Sequence, residues 1–266
     1  MPIRETFAFR DVRGARVGRF GFGINSTSVV YRIGPTVIDA GPPNQWPSVR
    51  RFLDRQPPQR LLLTHHHEDH AGNASRIAQR YGLTPLAPAR SQGRLAGGYT
   101  TPPIQRIVWG SPRPVETDTL PTRVEMEDGS WLEVIPAPGH SDDMVCLLWP
   151  SRGILFAADL YLSRRVTHLR ADEDLGRLMQ SIEEVLRLDF DAVLCAHRGV
   201  VEDGKRALRD KLDWLGGLAE GARALQRRGL VEREVRRQLL GREDLVSWAS
   251  ALNISKRNLI RQASTL

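Results

Sequence analysis

The chain has 266 residues, 41% of them hydrophobic and 26% charged, and a formal net charge of +7. That length supports one large domain, or a domain with a small appendage, without disulfide staples. No apolar run approaches the roughly 20 residues that span a bilayer, and the first ten residues lack the basic-then-apolar pattern of an export signal. A cytoplasmic location without membrane association is therefore expected. Cys146 and Cys195, the only cysteines, each sit in an apolar strand-like run and read as buried free thiols. The basic excess is almost all arginine, since Lys205, Lys211 and Lys256 are the only lysines. A basic balance alone is weak evidence for nucleic acid, which is not the favoured partner.

In chain order, 28–33 and 36–38 read as strands joined by a Gly34-Pro35 turn. A helix is expected over 48–55, with Val49, Phe52 and Leu53 on one side, and Pro57-Pro58 breaks the chain after it. A short buried strand at 60–63 and a helix over 71–81, ended by Gly82, come next. Further strands are expected at 104–108, 131–135, 145–149, 154–156 and 192–195, with a helix over 173–188 between the last two. This alternation predicts an α/β layered domain with helices covering sheets. After Val201 the pattern becomes helical, over roughly 203–228, 231–240, 243–251 and 255–264, with no strand. The expected division is 1–201 for the layered domain and 202–266 for a helical region packed on it. Leu208, Leu212, Leu215 and Leu218 mark the face that packs. Trp214 and Trp248 are expected in the packing as well.

One segment carries most of the chemistry. The buried run Leu61-Leu62-Leu63-Thr64 leads into His65-His66-His67-Glu68-Asp69-His70 and then into a helix. So many imidazoles and carboxylates are costly to bury unless a cation pairs them. Three more candidates follow strands: His140 in Pro138-Gly139-His140-Ser141-Asp142, Asp159 at the end of Leu155-Phe156-Ala157-Ala158, and His197 after Leu194-Cys195-Ala196. Acids and imidazoles at the ends of several core strands are placed to converge at one sheet edge.

Together, His65-x-His67-x-Asp69-His70, His140, Asp159 and His197 resemble the signature of the metallo-β-lactamase-fold hydrolases, over about residues 20 to 200. The layout is most similar to glyoxalase II-like thioesterases and small lactamase-like endoribonucleases. The resemblance implies a four-layer αβ/βα sandwich with a C-terminal helical extension. It also implies that His65, His67 and His140 bind one metal, that Asp69, His70 and His197 bind a second, and that Asp159 bridges. Asp69 would also act catalytically, orienting a hydroxide and passing its proton to the leaving group. Asp39, in Val37-Ile38-Asp39-Ala40-Gly41, matches a non-ligand position near the metal loop, either a turn residue or a hydrogen-bond acceptor. His66 is expected to face away from the ligands, and His168 lies outside every motif.

Nitrogen and carboxylate donors without thiolate suit two Zn²⁺ ions and tolerate Fe or Mn. Two such ions share a water and lower its pKa towards 7, and the resulting hydroxide attacks an electrophilic carbonyl or phosphorus. A dinuclear β-lactamase carries Cys at the position of Asp159, and a flavodiiron enzyme carries Glu at that of His67, so neither activity is expected. Met144 stands where many thioesterase-like relatives have a further His. The leading expectation is a hydrolase of a small-molecule ester or thioester. The alternatives are a phosphodiesterase or endoribonuclease acting on RNA, served by Arg223, Arg227, Arg228, Arg236 and Arg237, and a mononuclear-iron dioxygenase on the same fold. The tail after Val201 is expected to wall the substrate site rather than to form a separate nucleic-acid module.

Overall fold

The computed structural model describes residues 3–21 and 26–266. Strands β1 (Glu5–Phe9), β2 (Val12–Val17), β3 (Ser28–Ile33), β4 (Thr36–Ile38), β5 (Arg60–Leu62), β6 (Leu86–Ala87) and β7 (Asp118–Thr119) form one sheet in sequential order. It is antiparallel from β1 to β4 and parallel from β4 to β7. The second sheet takes β8 (Arg123–Glu125), β9 (Trp131–Pro136), β10 (Val145–Trp149), β11 (Ile154–Ala158), β13 (Ala192–Cys195) and β14 (Gly199–Val201) in the order β14-β13-β11-β10-β9-β8. A two-stranded ribbon pairs β12 (Leu169–Arg170) with β15 (Ile254–Ser255).

Three apolar clusters define the layers. Val29, Tyr31, Ile38 and Leu62 from the first sheet meet Leu132, Leu147, Trp149, Phe156 and Leu194 from the second, so the sheets pack face to face. The other face of the first sheet, with Ala15, Val30, Val37 and Leu61, meets Val49, Phe52, Leu53 and Ile77. Those side chains belong to α1 (Trp46–Leu53) and α2 (Ala74–Tyr81). Cys146, Leu148, Leu155, Val193 and Cys195 on the far face of the second sheet meet Leu178, Ile182 and Val185 of α5 (Leu175–Leu186) and Ala207, Leu208 and Leu215 of α6 (Gly204–Arg227). The result is the expected αβ/βα sandwich. Apolar residues on both faces make the central strands continuous hydrophobic runs, as VCLLW in β10 and AVLC in β13 illustrate.

The remaining helices are α3 (Ala89–Gly97), α4 (Pro103–Val108), α7 (Glu232–Leu239), α8 (Leu245–Ala249) and α9 (Lys256–Ala263). Gly82 ends α2 in the left-handed region at φ 66°. Leu208, Leu215 and Leu218 are buried and Leu212 packs beside them, the face expected from their spacing. No helix among the described residues is long and apolar enough to cross a membrane. Both cysteines are free and buried.

Several expectations fail. The run 104–108, expected as a strand, is helix α4, because Pro102 and Pro103 suit a helix start and its short apolar pattern fits either period. The hairpin of β1 and β2 was not anticipated; its outer strand is short and mostly exposed, and its alternation is carried by Phe7 and Phe9 alone. The tail holds one short strand, β15, where none was expected. Trp248 is 65% exposed rather than packed, whereas Trp214 packs on the core and donates from Nε1 to the Val166 carbonyl at 2.8 Å.

Candidate metal centre

The sheet topology explains why residues far apart in sequence meet. β4 and β5 run parallel, so Asp39 after β4 and the His65–His70 loop after β5 leave the first sheet at the same edge. In the second sheet β9 and β11 are both antiparallel to β10 and hence parallel to each other, and β11 is parallel to β13. His140, Asp159 and His197 therefore emerge together at the ends of β9, β11 and β13. Backbone bonds join the two edges: Val145 N–H donates to the Thr64 carbonyl at 3.0 Å and Val29 N–H to the Ala196 carbonyl at 2.7 Å.

Local backbone geometry sharpens the placement. Asp39 and Ala158 adopt positive φ of 60° and 43°, conformations that L side chains rarely take, at the turn where each strand meets the site. Gly139 precedes His140 at φ 137°, and a Cβ there would lie 2.4 Å from the Leu178 backbone. Glycine lets the His140 loop press onto α5.

All seven expected residues are buried and fall into two groups that share one member. His65, His67, His140 and Asp159 form the first group, and Asp69, His70, Asp159 and His197 the second, with the donor atoms of each within 4.8 Å of one another. His65 Nε2 and His140 Nε2 lie 3.0 and 2.9 Å from His67 Nδ1. Asp159 Oδ2 is 3.1 Å from His140 Nε2, while its Oδ1 is 3.2 Å from His197 Nε2 and 3.4 Å from His70 Nε2. One carboxylate thus turns an oxygen to each group. Asp69 Oδ2 lies 3.3 Å from His197 Nε2.

Outer hydrogen bonds assign the protons on four of these rings. His197 Nδ1 donates to the Thr27 carbonyl at 2.6 Å, His70 Nδ1 to Asp39 Oδ2 at 2.7 Å, and His140 Nδ1 to Glu173 Oε1 at 2.5 Å. Thr64 Oγ1 sits 2.9 and 3.0 Å from the two Asp39 oxygens and gives its single proton there, so it accepts from His65 Nδ1 at 3.0 Å. In each neutral ring the inner nitrogen, Nε2, then carries a lone pair. These lone pairs converge on one another and on carboxylate oxygens, which repel them. His70 Nε2 and Asp159 Oδ1 are buried without a hydrogen-bond partner among the described residues. Positive charge at the two foci relieves this repulsion, and the nitrogen and oxygen donors fit divalent ions.

The electrostatics separate the rings. Burial lowers the His65 and His67 pKa well below the ordinary value, favouring the neutral rings that ligate. Burial also opposes charge on His70, His140 and His197, yet the facing Asp159 raises all three, His140 to about 9. Asp159 is held well below the ordinary carboxylate range by the same three imidazoles, against the penalty of its burial. The pocket attracts positive charge wherever the Nε2 atoms face Asp159.

His66 belongs to neither group: its Nδ1 is 2.9 Å from Asp143 Oδ2, an oxygen that also accepts from Ser91 Oγ at 2.6 Å. His168 sits away from the centre, paired with Asp244 at 3.0 Å. Asp39 is a hydrogen-bond acceptor that orients ligands. Glu173, Thr64 and Asp143 were not singled out in the sequence, although Thr64 adjoins the histidine run. A cleft of about 450 Å³ opens beside the first group. His66, His67 and Glu68 line it together with Tyr99, Arg170 and, from the C-terminal region, Asn253. Glu68 is pushed up to about 7 by burial and by neighbouring Asp69.

A metallo-beta-lactamase family protein from Thermus thermophilus superposes with a TM-score of 0.67 at 18% identity, covering 96% of this chain and 91% of that one. A hydroxyacylglutathione hydrolase from Cereibacter sphaeroides is 28% identical over 137 residues, 51% of this chain and 46% of its own length. An atrochrysone carboxyl ACP thioesterase from Claviceps purpurea is 24% identical over 153 residues, 57% of this chain and 42% of its own. The matches to these two curated relatives therefore span somewhat under half of the relatives' length. The family model for the metallo-beta-lactamase superfamily matches residues 20–197, the span holding both groups of donors, and the chain belongs to that superfamily.

Proposed function

We propose that the chain is a dinuclear metal-dependent hydrolase of a small-molecule ester or thioester. The observation that carries this reading is the pair of buried donor groups sharing Asp159, with His70 Nε2 and Asp159 Oδ1 left without a hydrogen-bond partner among the described residues. In this reading His65, His67 and His140 hold one divalent ion, Asp69, His70 and His197 the other, and Asp159 both. Ions held there would supply Lewis-acid chemistry, polarising the substrate carbonyl and lowering the pKa of a nearby water. Zn²⁺ is the proposed metal, since the donors are imidazole and carboxylate without thiolate.

The chain's own residues do the rest. Asp39, Thr64, the Thr27 carbonyl and Glu173 fix the ring orientations before substrate arrives, so little reorganisation remains for the reaction. In this reading Asp69, 8% exposed in the second group, passes a proton to the leaving thiolate or alkoxide. The cleft takes the acyl portion. Its lining sets Gln105, Arg170 and Asn253 among surface that is more apolar than polar, which suits an acyl group carrying both polar and apolar parts. The ester and thioester class is supported by the hydrolase and thioesterase names among the relatives. The test follows thiol release from a panel of acyl thioesters by protein reconstituted with Zn²⁺, then stripped by chelator, then reloaded. Activity lost on stripping and regained on reloading is expected. Turnover that persists in metal-free protein, or cleavage of single-stranded RNA with no acyl hydrolysis, contradicts the reading.

A further inference from the structure

His140 differs from the other imidazoles in what secures its outer nitrogen. His70 and His197 lean on Asp39 and on the Thr27 carbonyl, groups within the sandwich at the ends of β4 and β3. His140 leans on Glu173, which lies in the connection between β12 and α5. That connection is held from the C-terminal side. Leu169 and Arg170 pair with Ser255 and Ile254, the Ala171 N–H donates to the Asn253 carbonyl at 2.8 Å, and Asn258 Nδ2 donates to the Leu169 carbonyl at 3.2 Å. Gln262 of α9 then closes the clamp. Its Nε2 donates to the Glu173 carbonyl at 2.7 Å, and its Oε1 accepts from the Leu175 N–H at 2.7 Å. The Glu173 carboxylate has no freedom left: Oε1 takes the His140 proton, while Oε2 takes the Arg170 N–H at 3.2 Å. Both side chains are nearly buried, 7% and 9% exposed.

We propose that Glu173 is a positioning residue for the first metal, and that the C-terminal segment 253–262 sets where its carboxylate stands. The inference rests on the dinuclear reading above and adds a residue and a dependence to it. A carboxylate on Nδ1–H fixes the tautomer, aims Nε2 at the metal focus and makes that nitrogen a stronger donor. An amide at the same place still accepts the proton but offers no charge. The C-terminal helices would then be a working part of the metal centre rather than an appendage, since removing one contact on α9 reaches His140 two hydrogen bonds away.

The test measures Zn²⁺ affinity by chelator competition on the full chain, with thermal unfolding beside it. His140→Ala identifies which of the two affinities belongs to the first site. Glu173→Gln is expected to weaken that affinity roughly 10- to 100-fold, the effect typical of losing a ligand's hydrogen-bond partner, and to leave the other within about twofold. Glu173→Asp should recover part of the loss, and Gln262→Ala, which touches no ligand, should weaken the same site several-fold. First-site affinity unchanged in Glu173→Gln, or both affinities falling together in step with thermal stability, overturns the inference while the dinuclear reading stands. If Glu173→Gln does not fold, Gln262→Ala decides alone, and an unchanged first site overturns the inference. Wild-type protein that takes up no Zn²⁺ sinks the dinuclear reading and the inference with it.

Discussion

The two donor groups share Asp159 yet are supported differently. The second group is held within the sandwich: His70 by Asp39 at the end of β4, His197 by a backbone carbonyl beside β3, and Asp69 by the loop it shares with His70. The first group draws its third imidazole from the loop after β9 and anchors it through Glu173 to residues near the C-terminus. A ligand braced by its own sheet needs only the sandwich to fold. A ligand braced across the β12–β15 ribbon and α9 also needs that outer layer docked, so the two sites should respond unequally to changes in the helical region.

Asp159 is where the comparison should break most completely. Asp159→Ala removes the carboxylate common to both groups and leaves His70, His140 and His197 without the acid their Nε2 atoms face. Loss of both ions and a fall in hydrolysis on the order of 10³-fold or more are expected, since each ion contributes several kcal/mol of transition-state stabilisation. Metal content and initial rates check this, and a variant that keeps one ion with tenfold-reduced activity would contradict the sharing. Asp39 comes next. It receives the His70 Nδ1 proton and, through Thr64, steadies His65, so it touches one ligand of each group. Asp39→Asn should weaken both affinities by roughly 10-fold or more, whereas Glu173→Gln should weaken one. Selective loss at a single site in Asp39→Asn would show that Thr64 does not transmit its effect.

The smallest effect concerns Lys211, another contact from the C-terminal region. Its Nζ is fully buried and donates to the Leu160 carbonyl at 2.6 Å, next to Asp159. Burial lowers its pKa from the ordinary 10.5 to about 8, with nearby acids opposing part of the shift. Between those values the unfolded chain binds the proton and the folded chain has released it, so this lysine makes stability rise with pH across that window. The rise amounts to about 3 kcal/mol at most, from the size of the shift. The difference in unfolding free energy between wild type and Lys211→Met should therefore change in favour of wild type from pH 8 to 10.5. A constant difference across that range would mean the amine is already neutral, or still charged, throughout.

Much of the centre was legible in the chain because its donor residues break a strong pattern. A carboxylate or imidazole within two residues after a run such as LLL, ILFAA or AVLC has no reason to stand there unless the strand ends at a polar site. The parallel relation of β9, β11 and β13 then brings those ends to one edge. The supporting residues were hidden for the converse reason. Glu173 lies 33 residues from His140 in a polar stretch where an acid needs no explanation, and Asp143 follows another aspartate. Only the three-dimensional pairing marks them. The fold was readable where strands are buried on both faces and obscure where they are not. Gly14 in β2 receives the Phe7 ring, so the hairpin packs through a residue that interrupts any apolar alternation. In α4 the five residues after Pro103 fit a strand as well as a helical turn.

The account rests on two cations bridged by Asp159, and anomalous scattering at the zinc edge from crystals grown with Zn²⁺ tests it most directly. Two peaks about 3.5–4 Å apart are predicted. One should be ringed by His65, His67 and His140 and the other by Asp69, His70 and His197, with one Asp159 oxygen on each. A single fully occupied peak at saturating Zn²⁺, or two peaks with Asp159 bound to only one of them, would contradict it.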